Sequence, residues 1–150
     1  MKSFAAIIFF FNVISLKANC QTSSTDLRGN LTVVITGFEN NKGSASVALF
    51  DKADAFPKSS EKAVAIIYSK ISDSKSVAVF EHLAAGEYAV SVYHDENDNR
   101  KMDTNLFGIP KEGVGASNNA RGHFGPPKYQ DAKFIFKGTN ESISINIIYL

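Results

Sequence analysis

Cysteine is almost absent from this sequence, with Cys20 the one thiol in 150 residues. A lone thiol cannot close an intrachain disulfide, so the fold must rest on packing, hydrogen bonds or a bound metal. Tryptophan is missing and methionine occurs twice, whereas Phe occurs 12 times and Tyr 5 times. A core built mainly from rings and β-branched residues leans toward sheet. The three histidines, His82, His94 and His123, show none of the short pair spacings that zinc sites use. No glycine-rich turn enters a helix in the manner of a phosphate loop, which leaves nucleotide binding without support. Excess charge of one sign is also lacking, and 16 basic against 15 acidic residues excludes a nucleic-acid binder by bulk charge. With 44% apolar and 21% charged residues the chain is not generally disordered. Its length suits one domain with a real core and is too short for two.

What is present begins with an export pattern. Met1 and Lys2 give a positive start, Phe4 to Leu16 is a nearly unbroken apolar run, and Ala18 and Cys20 are small residues placed for cleavage before Gln21. That run is too short to span a bilayer comfortably, and residues 1–20 read as a secretory signal peptide. Lipid anchoring at Cys20 fits poorly, because Lys17, Ala18 and Asn19 do not match the residues such a signal places before its cysteine. Cleavage takes Lys2 and Lys17 from the 16 basic residues and leaves 14 against 15 acidic, a net charge of −1. No membrane span is expected after that removal, and the destination is the periplasm, the exterior or the cell surface.

Residues 21–29 are polar and aperiodic, a flexible lead into one domain over residues 30–150. Alternation then starts, with Leu31, Val33 and Ile35 on one side of a strand and Thr32, Val34 and Thr36 on the other. Asn40, Asn41 and Gly43 read as a turn into a second strand, Ser44 to Phe50, so that the two form a hairpin. Further strands are expected over Ala63 to Ile71, Val77 to Leu83, Glu87 to Tyr93, around Phe134 and Phe136, and over Ser142 to Tyr149. About seven short strands without a helical stretch predict an all-β fold, an antiparallel β-sandwich of immunoglobulin-like or transthyretin-like type.

The segment from His94 to Asp131 is far longer than the ~12 to 15 residues at which structureless loops become uncommon. Leu106, Phe107, Ile109, Val114, Phe124 and Tyr129 are spread through it, and they predict a long ordered cap loop anchored onto the sandwich by those side chains. Its first part, HDENDNRKMDTN, carries oxygen-bearing residues at alternate positions. Calcium takes six to eight oxygens at ~2.3 to 2.6 Å, and a curled loop supplies them from such positions. Asp95, Asn97, Asn99 and Asp103 would give side-chain oxygens and Lys101 its carbonyl. Two departures stand against a tight site: Arg100 occupies the position of the turn glycine, and Leu106 that of a bidentate Glu. Glu112 is the candidate to complete the shell.

Two alternatives use other residues. In the first, a cap surface around Glu112, Ser117, Asn118, Asn119, Arg121 and Phe124 binds a glycan or peptide without metal, amides and a ring being suited to sugars. In the second, His94 oriented by Asp95 or Glu112 serves as the base of a hydrolase, although no nucleophile with a supporting motif is visible. Neither an enzyme nor a catalytic residue is the primary expectation.

The long stretch YHDENDNRKMDTNLFGIPKEGVGASNNARGHFGPPKYQDAKF, with GSASVALFDKADAFP and LAAGEYAVSVYHD upstream, resembles the signature of a secreted bacterial family catalogued as domain of unknown function 2141. The resemblance covers most of the exported chain and implies a small β domain at the cell envelope, without an established activity. Family members show glycine where this sequence has Asp98 or Arg100. The order AGEYAVSVYHDENDNRKMD is also loosely similar to transthyretin-like and collagen-adhesin B-type surface modules, where a strand runs into an Asp/Asn calcium loop. The combined expectation is a binding or structural module with an envelope or extracellular protein or glycan as its partner, and calcium as its ion.

Overall fold

Leu31, Val33 and Ile35 are fully buried and alternate with half-buried neighbours along β1 (Arg28–Thr36), the pattern of a strand with one face against a core. The computed structural model describes residues 26–150, so the expected signal peptide and most of the expected polar lead lie outside the described residues. Seven more strands follow: β2 (Ser44–Phe50), β3 (Ala65–Lys70), β4 (Lys75–Ala84), β5 (Gly86–Asp95), β6 (Val114–Ala116), β7 (Phe134–Phe136) and β8 (Glu141–Asn146). One short helix, α1 (Tyr129–Ala132), precedes β7.

The strands form two facing sheets. One has the order β4-β1-β8, and the other β3-β2-β5-β6 with β7 also on β5. The expected sandwich is therefore present, with eight strands rather than seven and one parallel pair, β1 with β8. Between the sheets pack Leu31, Val33 and Ile35 of β1, Val47 and Leu49 of β2, Phe80 of β4, Val90 and Val92 of β5, Phe136 and Ile145. Strand β2 is buried along nearly its whole length, because its second face carries Ala48 and Phe50 into a smaller cluster with Ala89, Ala116, Tyr129 and Ala132.

The expected β1–β2 hairpin does not form. Both ladder edges of β1 are taken by β4 and β8, and both edges of β2 by β3 and β5. Between them the chain crosses from one sheet to the other, turning at Gly37 (φ 90°) and Gly43 (φ 60°) and burying Phe38 in the core. The turn residues were legible, and the sheet change was not.

The long segment after β5 is ordered but is not one cap. Strand β6 pairs Ser91–Tyr93 of β5 from inside it, and β7 pairs Gly86–Tyr88 farther along the same edge. This divides the segment into an acidic loop before β6 and a second loop between β6 and α1. Among the predicted anchors only Tyr129 is buried and Val114 half-buried; Leu106, Phe107, Ile109 and Phe124 are exposed. Hydrogen bonds, described next, hold the acidic loop where apolar anchors were expected.

Candidate functional site

Asp95 ends β5 with its side chain fully buried. Its Oδ1 accepts the Asn99 N–H at 3.0 Å and its Oδ2 the Arg100 N–H at 2.8 Å. A carboxylate gripping two successive amides curls the chain back over the strand end. The curl needs left-handed backbone at Asp98 (φ 53°) and Arg100 (φ 61°), the two positions where glycine was expected. Arg100 thus makes the turn without glycine, and its guanidinium lies 5.2 Å from the ring centroid of Tyr68 on β3.

Two amide side chains continue the turn. Asn97 Oδ1 accepts the Asn99 N–H at 3.1 Å, and Asn99 Oδ1 accepts the Lys101 N–H at 2.7 Å. Both amides also reach one carboxylate: Asn97 Nδ2 donates to Asp103 Oδ2 at 2.8 Å and Asn99 Nδ2 to Asp103 Oδ1 at 3.3 Å. Asn97, Asn99 and Asp103 are therefore drawn together above the Asp95-bound turn, with Lys101 between them in the chain. Outside the loop, Ser44 Oγ donates to Asp98 Oδ1 at 2.8 Å and Asn40 Nδ2 to Glu96 Oε2 at 3.3 Å, fixing it to β2 and its lead.

Glu112 straps the two arms of the loop. Its Oε1 accepts the Glu96 N–H at 3.1 Å and its Oε2 the Asp103 N–H at 2.9 Å, with the side chain buried. Burial pushes its pKa above the ordinary carboxylate value, the Asp103 and Asp95 charges add to the rise, and the two N–H bonds oppose it. Leu106, at the place of the bidentate Glu, is fully exposed and hydrocarbon in any case.

The residues fit a hard, oxygen-seeking cation in kind. A carboxylate offers about four lone-pair sites and an amide oxygen two, so Asp95, Asp103, Asn97 and Asn99 each retain acceptor capacity beyond the bonds described. Among the described residues no three His, Cys, Asp or Glu side chains converge as metal ligands. A cation here would draw on the Asn oxygens and the Lys101 carbonyl as well as the two Asp carboxylates.

Beside the loop lies a polar pair, His94 and the half-buried Tyr149, that periodicity did not single out. His94 is fully buried, its ring edge-on to Phe38 at 5.1 Å. His94 Nε2 lies 2.8 Å from the Lys42 carbonyl and Nδ1 lies 2.6 Å from the Tyr149 hydroxyl. A carbonyl only accepts, so Nε2 carries the proton and, in the neutral ring, Nδ1 accepts from Tyr149. Burial raises the Tyr149 pKa, which keeps that hydroxyl a donor, and it accepts the Glu39 N–H at 3.2 Å. A hydrolytic role for His94 as a base would first have to free Nδ1 from the Tyr149 hydroxyl. Its partners lie more than fifty positions away in the chain, beyond the reach of any local pattern.

Of the residues proposed for a recognition surface, Ser117, Asn118 and Asn119 also bond within the domain, Ser117 from a buried position and the two amides from exposed ones. Val90 sits between the stretches of β5 that pair with β6 and β7 and lacks a ladder partner on that edge. The buried Ser117 hydroxyl accepts the Val90 N–H at 2.9 Å and donates to the Ala132 carbonyl at 2.6 Å. Asn118 Nδ2 donates to the Lys133 carbonyl at 2.9 Å, and Asn119 Oδ1 accepts the Asn146 N–H of β8 at 2.9 Å. Both hold left-handed backbone. Asn118, Asn119, Arg121 and Phe124 are all exposed, the last two in a concavity with His123 and Lys128.

No curated protein matches the chain. Among solved structures, the pilus-presented adhesin Spy0125 (Cpa) is similar at 12% identity, with 81% of this chain and 27% of that chain covered. This chain spans about a quarter of that one, and the TM-score of 0.20 is too low to carry an argument. The profile of a family described as "Uncharacterized protein conserved in bacteria (DUF2141)" matches residues 33–144. With that match running from within β1 to within β8 and across the whole acidic loop, the chain belongs to this bacterial family.

Proposed function

We propose that this chain is an exported binding or structural module of the bacterial envelope whose loop over residues 95–103 takes a calcium ion. The observation that carries the reading is the meeting of the Asn97 and Asn99 side chains on both oxygens of Asp103, above a turn built on the buried Asp95. The ion would be held by Asp95, Asn97, Asn99, Asp103 and the Lys101 carbonyl, with water in the remaining positions. Export rests on the pattern of residues 1–20, and the partner is an envelope or extracellular protein or glycan. The exposed Asn118, Asn119, Arg121 and Phe124 would carry the glycan- or peptide-binding alternative.

An ion bound only to the folded state stabilises it by mass action, so saturating calcium should raise Tm by roughly 5 to 10 °C over excess chelator. Asp103→Ala should remove that shift and leave the chain folded, because Asp103 is a partly exposed acceptor for two amides. Asp95→Ala is the poorer probe, since it also strips a buried cap from two backbone N–H groups. Identical melts in calcium and chelator would reject the reading.

A further inference from the structure

Within the acidic loop a second feature points outward. Beyond Asp103 the chain makes a narrow hairpin, closed by Lys111 N–H to the Asp103 carbonyl at 2.9 Å and by pairing of Thr104 with Pro110. Asn105 fixes its tip: its Oδ1 accepts the Phe107 and Ile109 N–H groups at 2.9 and 3.0 Å, and its N–H donates to the Ile109 carbonyl at 2.8 Å. On this ordered tip Leu106 is 101% and Phe107 88% exposed, with Met102 and Ile109 also at the surface. Nothing lies within 4 Å of a side chain built at Gly108, so the tip stands clear of the domain. A monomer gains nothing for its own core from a leucine and a phenylalanine held in water.

We infer that this hairpin is a membrane-contact tip that inserts Leu106 and Phe107 into the interface of an anionic phospholipid surface. The shape favours a lipid surface over a protein partner. The apolar part is a hairpin tip led by Leu106 and Phe107 with Met102 and Ile109 also exposed, and a bilayer needs no preformed pocket to accept it. Charge agrees with shape. Arg100 and Lys101 precede the hairpin and Lys111 closes it, all three exposed. Each of the five carboxylates of the loop is engaged: Asp95 and Glu112 are buried against backbone N–H groups, Asp103 faces Asn97 and Asn99, Asp98 accepts from Ser44 Oγ, and Glu96 accepts from Asn40 Nδ2. Apolar side chains at a point with cations around its base suit hydrocarbon beneath negative headgroups. The tip is held by Asn105 and the Asp103–Lys111 bond, so the inference stands apart from the calcium reading.

Flotation of the full chain with phosphatidylglycerol-containing vesicles, in chelator and again in calcium, tests it. The chain should float with those vesicles in either condition, less with phosphatidylcholine alone, and less at high salt. The double substitution Leu106→Ser, Phe107→Ser should weaken binding at least about tenfold. Its melt should match the parent because neither side chain packs on the domain. Lys101→Gln with Lys111→Gln should reduce the preference for anionic vesicles. Absence of flotation, or flotation untouched by the double substitution, would overturn the proposal and leave the tip to a protein partner. Failure of the calcium shift with vesicle binding intact would reject the ion alone.

Discussion

Single side chains carry much of this structure by replacing backbone partners that the topology withholds. Ser117 fills the gap between β6 and β7, and Ser117→Ala would leave the Val90 N–H buried without an acceptor. The expected cost is about 1 to 3 kcal/mol in urea unfolding, and a change within error of zero would contradict the role. Glu112 does the same for two N–H groups of the acidic loop, with an ionisation attached. Burial raises its folded pKa above the ordinary value of about 4.3, so the folded chain binds this proton more tightly than the unfolded chain. Its contribution to stability is therefore full below the unfolded pKa and is lost as pH rises through the raised folded value. Carboxyl NMR should place the Glu112 midpoint above 4.3, and Glu112→Gln should remove its share of the pH slope; a midpoint at or below 4.3 would refute this.

Whole elements show where local pattern stops informing. Gly43 holds φ 60° at the entry to β2, where an added Cβ would collide with the Asp95 carbonyl. Gly43→Ala should cost more than about 1 kcal/mol in thermal or urea unfolding, whereas an exposed unstrained glycine would gain from the change. An unchanged melt would mean that β2 and the acidic loop are not packed this closely. The turn character of Gly43 was legible in sequence, and so was the alternation of Leu31, Val33 and Ile35, because both are properties of a few adjacent residues. Strand partners were not: β1 pairs with β8 across 110 positions, a choice made by packing rather than by either strand's composition. Oxygen-bearing side chains at alternate positions of the acidic loop were legible. Its strap, Glu112, was named as a candidate ligand, and only the fold shows both of its oxygens on backbone N–H groups. Apolar type misled at Leu106, Phe107 and Phe124, since hydrophobicity alone does not say which surface a side chain will meet.

At the scale of the molecule, a two-sheet sandwich without disulfides holds out a polar loop in which the Asn97 and Asn99 amides meet Asp103 and whose outer tip exposes Leu106 and Phe107. The sandwich supplies the footing through Asp95 at the end of β5 and through Ser44 and Asn40 beside it. The loop lies wholly inside the residues that the profile of the bacterial family matches. The central claim is that the acidic loop is a calcium site, and calorimetric titration of calcium into the full chain tests it most directly. A saturating isotherm for a single ion, abolished by Asp103→Ala in a folded variant, is the predicted result. Heats no larger than dilution in the parent chain, or an isotherm unchanged by Asp103→Ala, would contradict it.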